Sequence, residues 1–279
     1  MVSVIDRRGH TMVTNVYDTN GRVSQQTLAD GAVWQLAYTL NTTGQVVRTT
    51  VTNPRNFVKQ IDFNGRGYVT QIISALGAPE QQVRTFVREP LTNLLLRSTD
   101  ALGRVAQFTY DGAGHIATIA RAVGTADETT VSFTYEPVFG NLATYTDPLN
   151  HLTQLDYDGA GNLVSVTDPL SHTSTIEYDA QGKPIKLTNA LGKSTHIEYD
   201  RGDVATVTDP LGRVFSSVTD AIGRVILSTD PLGNQSRSEY DAMDRAVRST
   251  NASGGVTAMT YDAHGNRSEE HTSELQSPI

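Results

Sequence analysis

Glu177 and Glu198 stand 21 residues apart in the same local sequence, Ile-Glu-Tyr-Asp. A pair of carboxylates about 5–10 Å apart in a cleft can hydrolyse a glycoside. A charge that recurs at a fixed interval on a strand reads more simply as a wet surface position, so catalysis is not expected. Seven histidines offer metal ligation as a second chemistry. His151 and His172 occupy one slot 21 residues apart, and other copies of that slot hold Lys193, Arg213 or Asn234. A slot open to any polar residue is a solvated turn. His10, His115 and His264 lie beside glycine in turns, and His196 sits in a strand next to Ile197. Asp-rich turns raise calcium, but neither an EF-hand loop nor a nine-residue GGxGxDxUx repeat is present. GxSxG, HExxH, Walker A and GxGxxG motifs are absent as well. Gly112 and Gly114 form a turn pair without the helix that a dinucleotide site needs. No catalytic, cofactor or metal residues are expected, and the chain is not expected to be an enzyme.

The elements that carry these residues are periodic. Tyr-Asp occurs at Tyr17, Tyr110, Tyr157, Tyr178, Tyr199, Tyr240 and Tyr261, with three intervals of 21 residues. Thr219-Asp220 stands in the gap between Tyr199 and Tyr240 as a degenerate copy. Tyr38, Phe63, Phe86 and Tyr135 extend the series toward the N-terminus, giving roughly twelve copies from residue 1 to residue 266. Self-similarity at such a period marks a repeat architecture. In the copy from Tyr157 to Tyr178, Asp158 with Gly159 and Gly161 makes one turn, and Asp168-Pro169-Leu170 makes a second. Asp accepts turn hydrogen bonds, Gly permits positive φ and Pro presets φ. The segments between, LVSVT and HTSTIEY, alternate with period two, as half-buried strands do. Pairs such as Leu155/Tyr157, Ile176/Tyr178 and Ile197/Tyr199 mark the face expected to be buried, while Asn15, Arg84, Ser217 and Ser238 interrupt the pattern. The seven Tyr-Asp tyrosines are expected to anchor the repeat, each stacking on its counterpart in the neighbouring copy.

The fold expected is all-β: tandem strand-turn-strand repeats of about 21 residues forming a long, curved or spiralling antiparallel sheet, since open sheets beyond about ten strands curl or split. Composition agrees. The 279 residues are 38% hydrophobic, and strand- and turn-favouring residues fill the difference. The net charge of -8, with Lys and Arg scattered singly, argues against nucleic acid. There is no cysteine, so disulfide and thiolate zinc sites are excluded. No apolar run is long enough for a membrane span, and residues 1–13 have no signal-peptide core.

The recurring YDxxGN and TDPLG segments, at Tyr157–Asn162, Thr167–Leu170, Thr208–Arg213, Thr229–Asn234 and Tyr261–Asn266, resemble the RHS/YD-repeat family. That resemblance covers nearly the whole chain. It implies a sheet of antiparallel hairpins wound into a hollow shell, as a partial β-shell here. In bacterial Rhs proteins and the C components of Tc toxins the shell encloses a C-terminal toxin; in teneurins related shells serve adhesion. It further implies a secreted or cell-surface protein, a role in interbacterial competition or virulence, and toxin cargo as the partner, with carbohydrate or a surface protein as the alternative partner. The family's shell-closing core segment, with its self-cleaving aspartate, has no match in this sequence. Residues 267–279 leave the repeat; RSEEHTSELQS resembles a translated sequencing adapter and is expected to be a disordered tail rather than part of the 1–266 array.

Overall fold

The structure, a computed structural model, describes residues 2–6, 10–262 and 265–273. These residues form strands and turns and no helix. They divide into two units, Met1–His151 and Leu152–Ile279.

The first unit holds thirteen strands: β1 (Val2–Ile5), β2 (Thr11–Tyr17), β3 (Val23–Leu28), β4 (Val33–Leu40), β5 (Val46–Thr52), β6 (Val58–Phe63), β7 (Val69–Ser74), β8 (Gln82–Arg88), β9 (Leu95–Thr99), β10 (Val105–Tyr110), β11 (Ile116–Arg121), β12 (Thr129–Tyr135) and β13 (Leu142–Thr146). The second holds twelve: β14 (Leu152–Tyr157), β15 (Leu163–Thr167), β16 (Thr173–Tyr178), β17 (Pro184–Thr188), β18 (Ser194–Asp200), β19 (Asp203–Thr208), β20 (Val214–Thr219), β21 (Val225–Thr229), β22 (Gln235–Tyr240), β23 (Ala246–Thr250), β24 (Val256–Tyr261) and β25 (Arg267–Ser273). Within each unit every strand pairs antiparallel with the next, as the two-turn repeat dictates.

The two kinds of turn share one geometry. In the Tyr-Asp turn, the Gly161 N–H donates to the Asp158 carbonyl and the Asp158 N–H to the Asn162 carbonyl, both at 3.0 Å. In the TDPLG-type turn, the Ser171 N–H donates to the Asp168 carbonyl and the Asp168 N–H to the His172 carbonyl, both at 2.9 Å. The fourth residue is left-handed in both, Gly161 at φ 85° and Ser171 at φ 66°. This is the three-residue hairpin loop, a tight turn closed by one residue of positive φ. Glycine takes that conformation without a Cβ penalty, and short polar residues such as Asn150 and Ser171 tolerate it.

The pairing differs between the two sides of each strand. Inside the hairpin β16–β17 it runs from Thr175↔Thr188 to Tyr178↔Pro184, with a bulge between Glu177 and Tyr178. The bulge recurs beside the Tyr-Asp turn at Tyr157, Tyr199, Tyr240 and Tyr261. Between hairpins the ladder is shorter. β15 and β16 pair only over Ser165–Thr167, and β17 and β18 only over Lys186–Thr188. In each case the first two residues of the odd-numbered strand lie beyond the ladder, on the Tyr-Asp side.

Two expectations need correction. On the face carrying Ile176/Leu187 and Ile197/Val207, Ile176, Ile197 and Val207 are half-buried and Leu187 is exposed, and among the described residues no hydrophobic side chain is buried. Each described unit is one sheet layer, and a single layer shields an apolar side chain only with its neighbours along the sheet. Beyond the repeat, Arg267–Ser273 forms strand β25 rather than disordered chain, pairing from Tyr261↔Arg267 to Val256↔Ser273. The open edge of β24 presents a row of backbone donors and acceptors, which pairs with a neighbouring segment whatever its side-chain pattern. The rest of the expected tail, residues 274–279, lies outside the described residues.

Candidate functional site

The tyrosines sit where the inter-hairpin ladder ends. In the second unit the Tyr178 hydroxyl donates to the Leu163 carbonyl at 2.9 Å, Tyr199 to Pro184 at 2.8 Å, Tyr240 to Val225 at 3.0 Å and Tyr261 to Ala246 at 2.7 Å. In the first unit Tyr38 donates to Val23, Tyr110 to Leu95 and Tyr135 to Ile116, at 2.7–2.9 Å. The acceptor stands opposite the preceding copy's anchor: Leu163 faces Tyr157, Pro184 faces Tyr178 and Ala246 faces Tyr240. The hydroxyl thus supplies a donor to a carbonyl that the short ladder leaves without a backbone partner on the neighbouring hairpin. A backbone carbonyl away from water needs such a partner.

This replaces the expected tyrosine-on-tyrosine stacking. Aromatic rings meet instead at His115 with Tyr135, centroids 4.6 Å apart, and at Phe133 with Tyr145, 5.7 Å apart. Five tyrosine rings are covered by the fifth residue of the previous Tyr-Asp turn. Arg22 lies 4.9 Å over Tyr38, Lys183 5.1 Å over Tyr199, Arg224 4.9 Å over Tyr240 and Arg245 4.6 Å over Tyr261. His115 fills the same slot over Tyr135. Tyr17, in the first complete hairpin, is 40% exposed.

Two degenerate copies keep the bridge with other donors, whereas Phe63 has no hydroxyl to donate. Where Thr219 replaces tyrosine, the Ser217 hydroxyl donates to the Val204 carbonyl at 2.6 Å, and Thr219 bonds Asp203. In the copy around Phe86 the residue at the turn is Arg88, paired with Leu95, and its Nε donates to the Val69 carbonyl at 3.2 Å. In the copy around Tyr38 the turn-side residue is Leu40, paired with Val46, so Tyr38 reaches its carbonyl from two residue pairs further in. In the Ser217 and Arg88 copies the bridged carbonyl is kept while the tyrosine ring is not.

The turn aspartates are similarly committed. Asp158 Oδ1 accepts the N–H groups of Ala160 and Asn162 at 2.9 Å, and Oδ2 accepts Asn162 Nδ2. Asp209 accepts Leu211, Arg213 and the Arg213 guanidinium in the same way. The side-chain bond from Asn162, followed by its backbone N–H, holds the Asp158 carboxyl below the usual carboxylate range. The Arg213 side chain acts likewise on Asp209 and the Arg245 side chain on Asp241, whereas for Asp168 the His172 backbone N–H is the chief cause.

Of the residues weighed for chemistry, Glu177, His196 and Glu198 line one open depression of about 590 Å³ together with Lys186, where each glutamate has a partner of its own. Glu177 bonds Lys186 Nζ at 2.7 Å, and Glu198 accepts the Thr206 hydroxyl at 2.9 Å. Strand β17 separates their backbones by about two ladder spacings, roughly 10 Å, and Lys186 lies between them, paired with both Glu177 and His196. His115, His151 and His172 each contact the aspartate four residues earlier at 2.9–3.0 Å. His264 lies outside the described residues. Among the described residues no three His, Cys, Asp or Glu side chains gather as a metal site. A depression of about 340 Å³ on the second unit is lined by Val207, Phe215, Ser217, Ser228 and Ser236. It arises where serines replace the aliphatics of other copies.

A tandem hairpin array of this kind, with its turns closed by aspartate and its hairpins bridged by tyrosine, defines a β-repeat protein. The RHS Repeat family matches residues 91–126, 137–173, 178–214 and 220–255, more than half of the chain, and the chain belongs to that family. Comparison with curated proteins finds no match. Among solved structures, a mutant Photorhabdus luminescens Tc holotoxin pore is similar with a TM-score of 0.54 and 13% identity, over 95% of this chain and 18% of that one. The TcdB2-TccC3 crystal structure is similar with a TM-score of 0.52 and 15% identity, over 97% and 17%. At these identities the likeness is one of fold, and the chain spans under a fifth of the length of either.

Proposed function

We propose that this chain is a noncatalytic wall segment of an RHS-repeat shell, which encloses or presents a C-terminal toxin in bacterial competition or virulence. The intact protein would act outside the cell or at its surface. The observation that carries this reading is the commitment of the repeat's chemical groups to its own framework: aspartates close turns, tyrosines bridge hairpins and basic residues cover the tyrosines. Family membership and the fold shared with Tc toxin assemblies support it.

The test is a long sequencing read through the genomic locus past the codon for Asn266. Repeats continuing into a core segment and a distinct C-terminal domain are the expected result. Repeats running instead into a wall-binding or membrane anchor, with no toxin domain, would replace the cargo shell with a binding module for carbohydrate or a surface protein. The noncatalytic part has its own check: polysaccharide hydrolysis abolished by Glu177→Gln with Glu198→Gln would overturn it.

A further inference from the structure

Along the TDPLG-type edge of the second unit, successive turn tips carry Leu170, Leu191, Leu211 and Leu232, and these are 75%, 84%, 77% and 87% exposed. The hairpins are sequential neighbours, so the leucines recur every two strands, about 10 Å apart. Their side chains contribute nothing visible to the turn that bears them, whose hydrogen bonds run from backbone N–H groups to the side chain of Asp168, Asn189, Asp209 or Asp230. A row of apolar side chains on one edge marks an interaction surface.

Charge on this row is uneven. Asp209 is ion-paired with Arg213 inside its own turn, while Asp168 contacts His172, which is a counter-charge only when protonated. The turn between them has Asn189 in the aspartate position, and among the described residues Lys193 has no ion-pair partner. Asp230 is bonded by neutral Asn234 and likewise lacks a cation among the described residues. Lys193 and Asp230 thus flank Leu211 symmetrically, one hairpin away on either side.

We propose that this edge docks against the same edge of a second copy of the chain, about a twofold axis at Leu211. That axis sets Leu211 against its own equivalent and Leu191 against Leu232. It also sets each Lys193 opposite the second copy's Asp230, twice over, as an isologous contact requires. A second copy matches the spacing of the leucines by construction and gives both Lys193 and Asp230 a partner of opposite charge. The inference stands independently of what the repeats enclose.

The test is sedimentation of the full 279-residue chain across a wide concentration range. The expected result is a reversible monomer–dimer equilibrium. Leu211→Asp weakens it by about tenfold or more, as removal of a central contact residue does. Lys193→Glu weakens it too, and much less so in a background already carrying Asp230→Asn, which keeps the turn acceptor seen at Asn189. Circular dichroism and melting confirm that the variants fold; the sites are exposed turn tips, so their melting should match the parent. A chain that stays monomeric throughout overturns the proposal. So does association that Leu211→Asp leaves unchanged, or effects of Lys193→Glu and Asp230→Asn that simply add.

Discussion

At the Tyr-Asp edge of the second unit, Tyr199 reaches from β18 to the Pro184 carbonyl of β17, and Lys183 lies over its ring. At the opposite end of the same two strands, Thr188 and Ser194 pair backbone to backbone, and Leu191 stands in solvent at the turn tip. The turns at the two edges share one hydrogen-bond pattern, so the turn is not what distinguishes them. The difference lies in what joins one hairpin to the next: a backbone ladder on one side, a side-chain bridge on the other. The turn tips thus take no part in joining hairpins, whereas at the bridged edge Ser217 and Arg88 supply the donor where tyrosine is absent.

Acid should have the largest effect, because it removes what both edges share. The turn aspartates are held below their ordinary value by native hydrogen bonds. Their stabilisation is present above the unfolded-chain value of about 4 and is lost as pH falls through the lowered native values. Melting temperature should be flat near neutrality and fall steeply below about pH 4; a flat profile into that range would show the carboxylates to be dispensable.

Among single substitutions, Tyr199→Ala should cost the most. Full burial of an aromatic would be worth ~3–5 kcal/mol; this half-buried ring should lose about 2–3 kcal/mol, read as a lower denaturation midpoint. Tyr199→Phe keeps the ring and removes only the bridge, for about 1 kcal/mol. Lys183→Ala uncovers the ring and should cost about 0.5–1 kcal/mol, with the loss largely absent when Tyr199 is already Ala. At the other edge, Leu191→Ser should change stability by less than about 0.5 kcal/mol. A Leu191→Ser loss as large as that of Tyr199→Phe would erase the contrast between the edges.

The strand-turn-strand repeat was legible because turn chemistry is local: Asp with Gly or Pro at fixed offsets specifies a hairpin with no knowledge of the rest of the chain. The tyrosine's part was not legible, because its acceptor lies 15 residues back on another hairpin and is a backbone atom with no residue signature. Period-two alternation identified the face of Ile176 and Ile197 but not what covers it, so full burial was expected where half-burial is found. Phe86 marks its copy as an aromatic, whereas the bridging donor is Arg88 two residues on. A basic residue at the fifth turn position, in Lys183, Arg224 and Arg245, was the available signal for the covered rings. The strand at Arg267–Ser273 follows from an open sheet edge rather than from its own sequence pattern.

The central claim is that tyrosine hydroxyls stand in for the missing ladder between hairpins. Its most direct test compares the thermal unfolding of two triple variants, Tyr178, Tyr199 and Tyr240 each changed to Phe, and Leu170, Leu191 and Leu232 each changed to Ser. The account predicts that the Phe triple loses about 3 kcal/mol, one neutral hydrogen bond per site, while the Ser triple melts with the parent protein. A Phe triple that melts with the parent, or a Ser triple that falls as far, would contradict it.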